Sequence, residues 1–201
     1  MSAKIIAVAN MKGGVGKTTM VVSISEALAA DGYKVLVIDL DAQASASVCF
    51  AGDKLLAHLL DKNNTIDALL ENRLIGNRTL SVESCIRSNI SNVTYQNDQL
   101  PISLLPASYK LRKFEFKIIH TLTNNGHGWD KIVNLLFKAM QQQLQSALPK
   151  FDYVIVDCAP GISIMTEAAI RLADLVIVPT IPDFLSTYGL QSFCASIWER
   201  G

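Results

Sequence analysis

Near its N-terminus the chain reads Lys12-Gly13-Gly14-Val15-Gly16-Lys17-Thr18-Thr19. Three glycines within four positions allow the backbone to turn tightly and to bring its N–H groups close to an anion. An apolar run at residues 4–10 precedes this segment and predicts a buried strand, and an apolar pattern at helix spacing follows it over residues 18–32. A strand, a glycine-rich loop and a helix in this order are the setting of a phosphate-binding loop.

In such a loop a lysine neutralises charge on the β- and γ-phosphates, and a hydroxyl reaches Mg²⁺. Lys17 and Thr18 stand at the positions of that lysine and that hydroxyl. The helix that begins beside them adds the partial positive charge of its N-terminus. The usual pattern places its first glycine five residues before Gly16, where this chain has Met11. The sequence therefore predicts a nucleotide site on a loop that departs from the standard pattern.

The composition restricts the class of protein. The chain has 201 residues, half of them hydrophobic, which is enough for one domain with a large core. Lys plus Arg and Asp plus Glu number 18 each, so the formal net charge is zero and any binding to nucleic acid must come from a local patch. No apolar run reaches the ~18–20 residues of a membrane helix, so we expect no integral membrane segment.

The four cysteines predict reduced thiols rather than a metal site. None of them forms a C-x-x-C pair or lies at ligand spacing from a histidine. This usage is typical of a cytoplasmic protein. The residues concerned are Cys49, Cys85, Cys158 and Cys194.

The predicted strands and helices alternate along the chain. Alternation of this kind predicts an α/β fold with a doubly wound, mostly parallel sheet flanked by helices. Beyond the first strand and helix, strands are expected at 34–39, 102–105, 151–157 and 175–179. Helices are expected near 55–60 and 66–70, at 111–122, 129–148 and 164–173, and from Ser186 to the chain end. Residues 89–99 are polar and rich in turn formers.

Two acidic segments follow predicted core strands. Tyr153-Val154-Ile155-Val156-Asp157 places an acid at the carboxyl end of a strand, where it can hold Mg²⁺ beside a phosphate-binding loop. Asp39-Leu40-Asp41-Ala42-Gln43 ends the second strand in the same way. Carboxylates at these positions suit phosphoryl transfer, which needs a positioned metal and an in-line water.

These segments together resemble the ParA/MinD type of ATPase. The loop matches the K-G-G-x-G-K-T-T form known as the deviant Walker A motif, and Asn10-Met11 before it suits the ParA (Soj-like) branch. The spacing from Asp157 to Pro160 and the D-x-D-x-Q form of residues 39–43 also agree with that family, although Ala42 stands where the family usually has proline.

The resemblance implies a P-loop NTPase fold, a site for ATP or ADP with Mg²⁺, and a role for each matching residue. Asp41 would orient the attacking water, and Pro179, at the end of the strand 175–179, would lie at the purine end of the site. The catalytic residues implied are Lys12, Lys17 and Asp41. The nucleotide-binding residues implied are Gly13, Gly14, Val15, Gly16, Lys17, Thr18, Thr19 and Pro179, and the metal-binding residues are Thr18, Asp39 and Asp157.

The extra lysine of the loop, Lys12, carries the most specific implication of the resemblance. In the family this lysine reaches the ATP bound by a second subunit, so that two subunits sandwich two nucleotides. A slow intrinsic ATPase, stimulated by a ParB-like partner and bound to non-specific DNA, would then drive plasmid or chromosome partitioning. Such a protein would be cytoplasmic and associated with the nucleoid.

Other functions remain open at this stage. A MinD-like or other positioning ATPase would act at a membrane surface or a cell pole. The cysteine spacing disfavours a metallocluster carrier, and the intact Lys17, Thr18, Asp41 and Asp157 disfavour an inactive interaction module. We expect residues 1–201 to form a single P-loop ATPase domain that lacks the C-terminal strands and helices of the family.

The densest basic cluster is Tyr109-Lys110-Leu111-Arg112-Lys113-Phe114 with Lys117. Interleaved basic and aromatic residues fit contact with DNA phosphates, and they equally fit the solvated face of a helix.

Overall fold

The computed structural model describes residues 3–76, 80–183 and 189–195. Its main sheet has five strands in the order β5-β2-β6-β1-β7, and every pair is parallel. These strands are β1 (Lys4–Val8), β2 (Val35–Leu40), β5 (Ile102–Leu105), β6 (Tyr153–Cys158) and β7 (Leu175–Ile177). A separate two-stranded antiparallel hairpin consists of β3 (Thr94–Tyr95) and β4 (Asp98–Gln99).

Helices cover both faces of the sheet, because successive strand residues point to opposite sides. Leu36 and Ile38 of β2 pack into one core with residues of α3, α5, α6 and α7, whereas Val35 and Val37 pack into the other with residues of α1. The helices are α1 (Lys17–Ala30), α2 (Ser45–Asp61), α3 (Ile66–Leu74), α4 (Val82–Cys85), α5 (Leu111–Asn124), α6 (Trp129–Leu144) and α7 (Ile164–Leu172). This arrangement confirms the predicted doubly wound, mostly parallel sheet flanked by helices.

Three segments differ from the predictions made from the sequence. It predicted only a short helix near 55–60, but α2 begins at Ser45 and is interrupted at Gly52, whose φ of 65° and ψ of 168° are not helical. The sixth helix was expected to reach residue 148, but it ends at Leu144 and a 3₁₀ turn over Leu148–Lys150 follows, with Pro149 in its first turn. The polar stretch 89–99 contains the β3–β4 hairpin.

The short helix α4 had no predicted counterpart, and the other elements agree with the predictions to within a few residues. The last predicted helix lies partly outside the described residues, at Ser186 and beyond residue 195, and the described stretch 189–195 is helical. Among the helices that the structure describes, none is both long and apolar enough to cross a bilayer.

The strand order determines where a site can form. Strands β1, β2 and β6 are neighbours at the middle of the sheet, and all three end at the same edge. The glycine loop follows β1, and Asp39 of β2 lies directly opposite Asp157 of β6 in the strand register. Ligands of open parallel sheets bind outside this carboxyl edge, and the predicted site residues meet there.

Candidate functional site

The glycine-rich loop curls around open space at the start of α1. Gly14 and Gly16 have φ values of +73° and +86°, in the left-handed region where other residues are strained. A β-carbon built on either glycine would meet no atom within 4 Å, so it is the backbone conformation and not crowding that favours glycine at these two positions. No side chain caps α1, and its first turn has no acidic residue. Its N-terminal N–H groups are therefore directed to an anion.

Lys17 lies inside this loop. Its side chain is largely buried, and its Nζ donates a 3.0 Å hydrogen bond to the backbone oxygen of Lys12. Burial lowers the pKa of the Lys17 ammonium, and the nearby carboxylates of Asp157 and Asp41 offset part of that effect. The ammonium thus spans the loop from the first turn of α1 to Lys12. Of the other loop residues, Gly13 and Thr19 are exposed and Val15 is half-buried.

Thr18 and Asp157 meet at the base of the loop. The Thr18 hydroxyl donates a 2.8 Å hydrogen bond to Asp157 Oδ2. The other carboxylate oxygen, Oδ1, is buried and has no hydrogen-bond partner. Burial, reinforced by the nearby charge of Asp39, raises the pKa of Asp157 to about 7. A buried carboxylate with a free oxygen and a raised pKa is a group that a cation would stabilise.

Asp39 is fully buried beside Asp157, and its carboxylate is held by residues that follow it closely in the chain. Its Oδ1 accepts a 3.0 Å hydrogen bond from the Asp41 N–H, and its Oδ2 accepts bonds of 2.8 and 2.7 Å from the N–H and hydroxyl of Ser47. Burial raises the pKa of Asp39 to about 6 despite these donors. With both oxygens engaged, Asp39 fixes the segment 41–47, and its direct contact with Mg²⁺ stays a prediction.

Asp41 lies at the rim of the site. Its backbone is anchored on Asp39, and its Oδ1 accepts a 2.9 Å hydrogen bond from the Gln43 N–H. The Asp41 carbonyl accepts the N–H of Ala44, which closes a tight turn. The side chain is half-buried, so the carboxylate is held in place yet remains accessible to water.

The outer lysine, Lys12, lies on the surface of the loop. Its side chain is 42% exposed, and its Nζ forms a 3.1 Å ion pair with Asp183 of the same chain. Asp183 follows the β7 strand, on the side of the loop where Pro179 is buried. The structure therefore separates the two lysines: Lys17 points into the loop, and Lys12 points away from it.

Asn10 is a residue of the site that the sequence analysis did not assign. This buried side chain accepts a 3.1 Å hydrogen bond from the Lys12 N–H and donates a 2.7 Å bond to the Pro179 carbonyl. Its own carbonyl accepts a 3.4 Å bond from Gly161 N–H in the loop after β6. Asn10 thus ties together three loops, and the signal for it was a polar residue at the end of an apolar strand.

The second unassigned residue is Ser47, which lies eight positions after the Asp39 that it supports. Its hydroxyl donates to Asp39 and accepts a 3.2 Å bond from the Ala107 N–H after β5. A serine in the first turn of a helix carries no sequence signal for this role.

The oxygen groups present fit Mg²⁺. Within the described residues, no group of three or more His, Cys, Asp or Glu side chains could hold a metal by itself. Mg²⁺ is usually held by one or two carboxylates together with substrate phosphates and water. The free Asp157 Oδ1 and the Thr18 hydroxyl supply such a partial set next to the empty loop. When bound there, the ion would neutralise phosphate charge.

Comparison with known proteins connects this geometry with a family. A family model described as an AAA domain matches residues 3–199. An uncharacterised protein of Methanocaldococcus jannaschii is 31% identical over 97% of this chain and 65% of its own length. The sporulation initiation inhibitor protein Soj of Bacillus subtilis is 25% identical over 96% of this chain and 64% of its own length.

Solved structures share the fold. A cobyrinic acid a,c-diamide synthase from Mycobacterium smegmatis, with bound ATP analogue and magnesium, is 28% identical with a TM-score of 0.72, over 98% of this chain and 68% of that one. A Borrelia burgdorferi B31 protein provisionally named a plasmid partition protein, bound to AMPPNP, is 25% identical with a TM-score of 0.68, over 99% of this chain and 71% of that one. The chain spans between 42% and 65% of the length of these curated relatives.

Proposed function

Because the chain belongs to the AAA domain family, as an ATPase of the ParA/MinD type, we propose that it binds ATP with Mg²⁺ and hydrolyses it to drive DNA partitioning. The observation that carries this proposal is the hydrogen bond between Thr18 and Asp157 at the base of an open glycine loop. This bond brings together the hydroxyl and the carboxylate that are predicted to bind Mg²⁺. Both lie near Lys17, which would contact the phosphate oxygens.

In the proposed reaction each side chain has a separate task. Lys17 and the N-terminal N–H groups of α1 hold the β- and γ-phosphates. Thr18 and Asp157 would hold the cation, and Asp39 positions the segment that follows β2. Asp41 orients the water that attacks the γ-phosphorus, and the phosphorus–oxygen bond to ADP breaks as the new bond forms.

The exposed position of Lys12 supports a site that is completed by a second subunit. It is exposed on the loop surface, so its ammonium can leave Asp183 and reach a nucleotide held by a second copy. A cation supplied in trans stabilises charge on the transferring phosphoryl group and makes ATP the link between two subunits. Hydrolysis would then remove the link, which gives a two-state switch.

We assign the switch to partitioning on non-specific DNA, with stimulation by a ParB-like partner. The similarity to Soj and to the Borrelia plasmid protein supports this assignment. The alternative is a MinD-like ATPase that acts at a membrane or a pole. The two differ in the surface that the ATP-bound form recognises, so DNA and anionic vesicles distinguish them directly.

The test of the proposed activity is a turnover measurement with matched variants. Wild type should bind ATP and release phosphate slowly, and only with Mg²⁺. Lys17→Ala should lose nucleotide binding, Asp41→Ala should bind ATP but lose turnover, and Lys34→Ala, far from the site, should match wild type. Full turnover by Asp41→Ala, or no nucleotide binding by wild type, would refute the proposal.

A further inference from the structure

Helix α5 concentrates positive charge on its exposed side. Four of the 18 Lys and Arg residues fall within residues 110–117, although the formal net charge of the chain is zero. We call Lys110, Arg112, Lys113 and Lys117, all exposed, the α5 basic face. The one acid of this segment, Glu115, is half-buried beside Ser163 at the start of α7, and of the four basic residues it interacts with Arg112.

The basic residues at the start of this face lie near the positive end of the α5 helix dipole, where positive charge is unfavourable. Cations near a helix N-terminus cost stability because they face the positive end of the helix dipole. Lys110 is the N-cap of α5, Arg112 and Lys113 lie in its first turn, and that turn has no acidic residue. Arg112 and Lys113 form no salt bridge with the residues that the structure describes. The dipole of α5 therefore disfavours the cations of its first turn, whereas an anionic partner would attract them.

The face is also held in position. Lys110 Nζ donates a 2.7 Å hydrogen bond to Asn63 Oδ1, and Lys117 Nζ forms a 2.6 Å ion pair with Glu71. From Lys110 to Lys117 the helix rises ~10 Å, about three base steps of a DNA strand. We propose that the α5 basic face is the surface through which this protein binds the phosphate backbone of double-stranded DNA, which rests on the partitioning function proposed above.

The same helix is less suited to an anionic membrane. An interfacial helix buries its apolar face among lipid chains. The apolar side of α5, with Leu111, Phe114 and Ile118, is already buried in the protein core. Only Tyr109 and Phe116, which are 71% and 64% exposed, remain as aromatic groups on the outside. Isolated aromatics among cations fit contact with a nucleic acid, whose charged backbone supplies the affinity.

The position of α5 also couples this face to the nucleotide site. Arg112 and Glu115 line a cavity of about 440 Å³ whose other walls include Asp41, Pro160 and Ser163. Asp41 and Pro160 belong to the two loops that follow β2 and β6, next to the site of the γ-phosphate. A change in these loops on ATP binding would move the walls against which α5 packs. We therefore expect ATP to alter DNA binding by the α5 basic face.

The experiment measures binding of a fluorescent 30-base-pair duplex of arbitrary sequence, with and without ATP and Mg²⁺, over a range of salt concentrations. Arg112→Ala with Lys113→Ala tests the face, and Lys131→Ala with Lys138→Ala on α6, equally exposed, is the charge-matched control. The α5 double variant should bind roughly tenfold more weakly, with a salt slope reduced by about 2. Its thermal midpoint should equal or exceed that of wild type, and the α6 control should bind DNA as wild type does.

The outcomes separate this inference from the proposed function. ATP-dependent DNA binding that both double variants retain in full would refute the role of α5 and leave partitioning in place. No DNA binding by wild type, in a protein that does hydrolyse ATP, would refute both. Binding to vesicles containing phosphatidylserine instead of DNA, lost in the α5 variant, would overturn the assignment to DNA.

Discussion

Thr18 Oγ1 and Asp157 Oδ2 lie 2.8 Å apart and join the first turn of α1 to the end of β6. Between them these residues connect a helix and a strand that are 139 positions apart in the chain. This contact places the helix that carries Lys17 beside a carboxylate whose other oxygen is buried and, within the described residues, has no hydrogen-bond partner.

The first prediction concerns the free protein at different pH values. The pKa of Asp157 is raised to about 7 in the fold, so between about pH 4 and pH 7 the folded state binds more protons than the unfolded state. Stability without nucleotide or Mg²⁺ should therefore fall as pH rises through that window. Asp157→Asn should remove much of this slope and gain roughly 2 kcal/mol at pH 8, measured by urea unfolding. The exposed Asp53→Asn is the control, and an equal slope in wild type and Asp157→Asn would contradict the prediction.

The second prediction compares two fully buried serines. Ser47→Ala removes a donor to Asp39 and the acceptor of the Ala107 N–H, so it should cost about 2 kcal/mol of unfolding free energy. The loss should be larger at pH 8 than at pH 5, since Ser47 stabilises the ionised form of Asp39. Ser25→Ala removes a buried hydroxyl with no partner inside α1, and it should be neutral or stabilising. Equal losses in the two variants would show that the Asp39 contact contributes nothing.

The third prediction tests Asn10 as a positioning residue. Asn10→Ala releases both the Lys12 N–H and the Pro179 carbonyl, and nucleotide affinity should fall by about tenfold, or ~1.4 kcal/mol. Asn10→Asp keeps the acceptor for Lys12 but places a carboxylate against the Pro179 carbonyl at neutral pH. Its affinity for MgADP, relative to wild type at the same pH, should be low at pH 8 and should recover toward pH 5, where the acid can donate. Calorimetry measures both, and a pH-independent defect would indicate a packing effect alone.

The sequence predicted much of this site because its strongest signals are local. The glycine loop between an apolar strand and a helix, and the acid that ends β6, are each defined by a few consecutive residues. Long-range contacts left no such signal. The Asn10 bond to Pro179 spans 169 positions, and the Ser47 bond to Ala107 spans 60. Neither residue type is unusual where it stands, so only the fold reveals the contact.

The core strands of the fold could be predicted from the sequence because their residues are buried. The core strands are nearly continuous apolar runs, which is typical of a sheet covered on both faces. The start of α2 was missed because its first residues, Ser45 to Phe50, are anchored by the Ser47 bonds to Asp39 rather than by helix periodicity. Tertiary contacts of this kind can stabilise a helix that the local sequence pattern does not predict.

The central claim is that ATP joins two copies of this chain through Lys12, and the oligomeric state measures it most directly. Sedimentation velocity of wild type with a non-hydrolysable ATP analogue and Mg²⁺ should show a dimer, and Lys12→Ala should remain a monomer while still binding the analogue. Asp183→Ala is the companion variant, because it removes the ion pair that Lys12 forms within its own chain. It should dimerise at least as well as wild type. A wild type that stays monomeric with the analogue bound, or a Lys12→Ala variant that dimerises like wild type, would contradict the account.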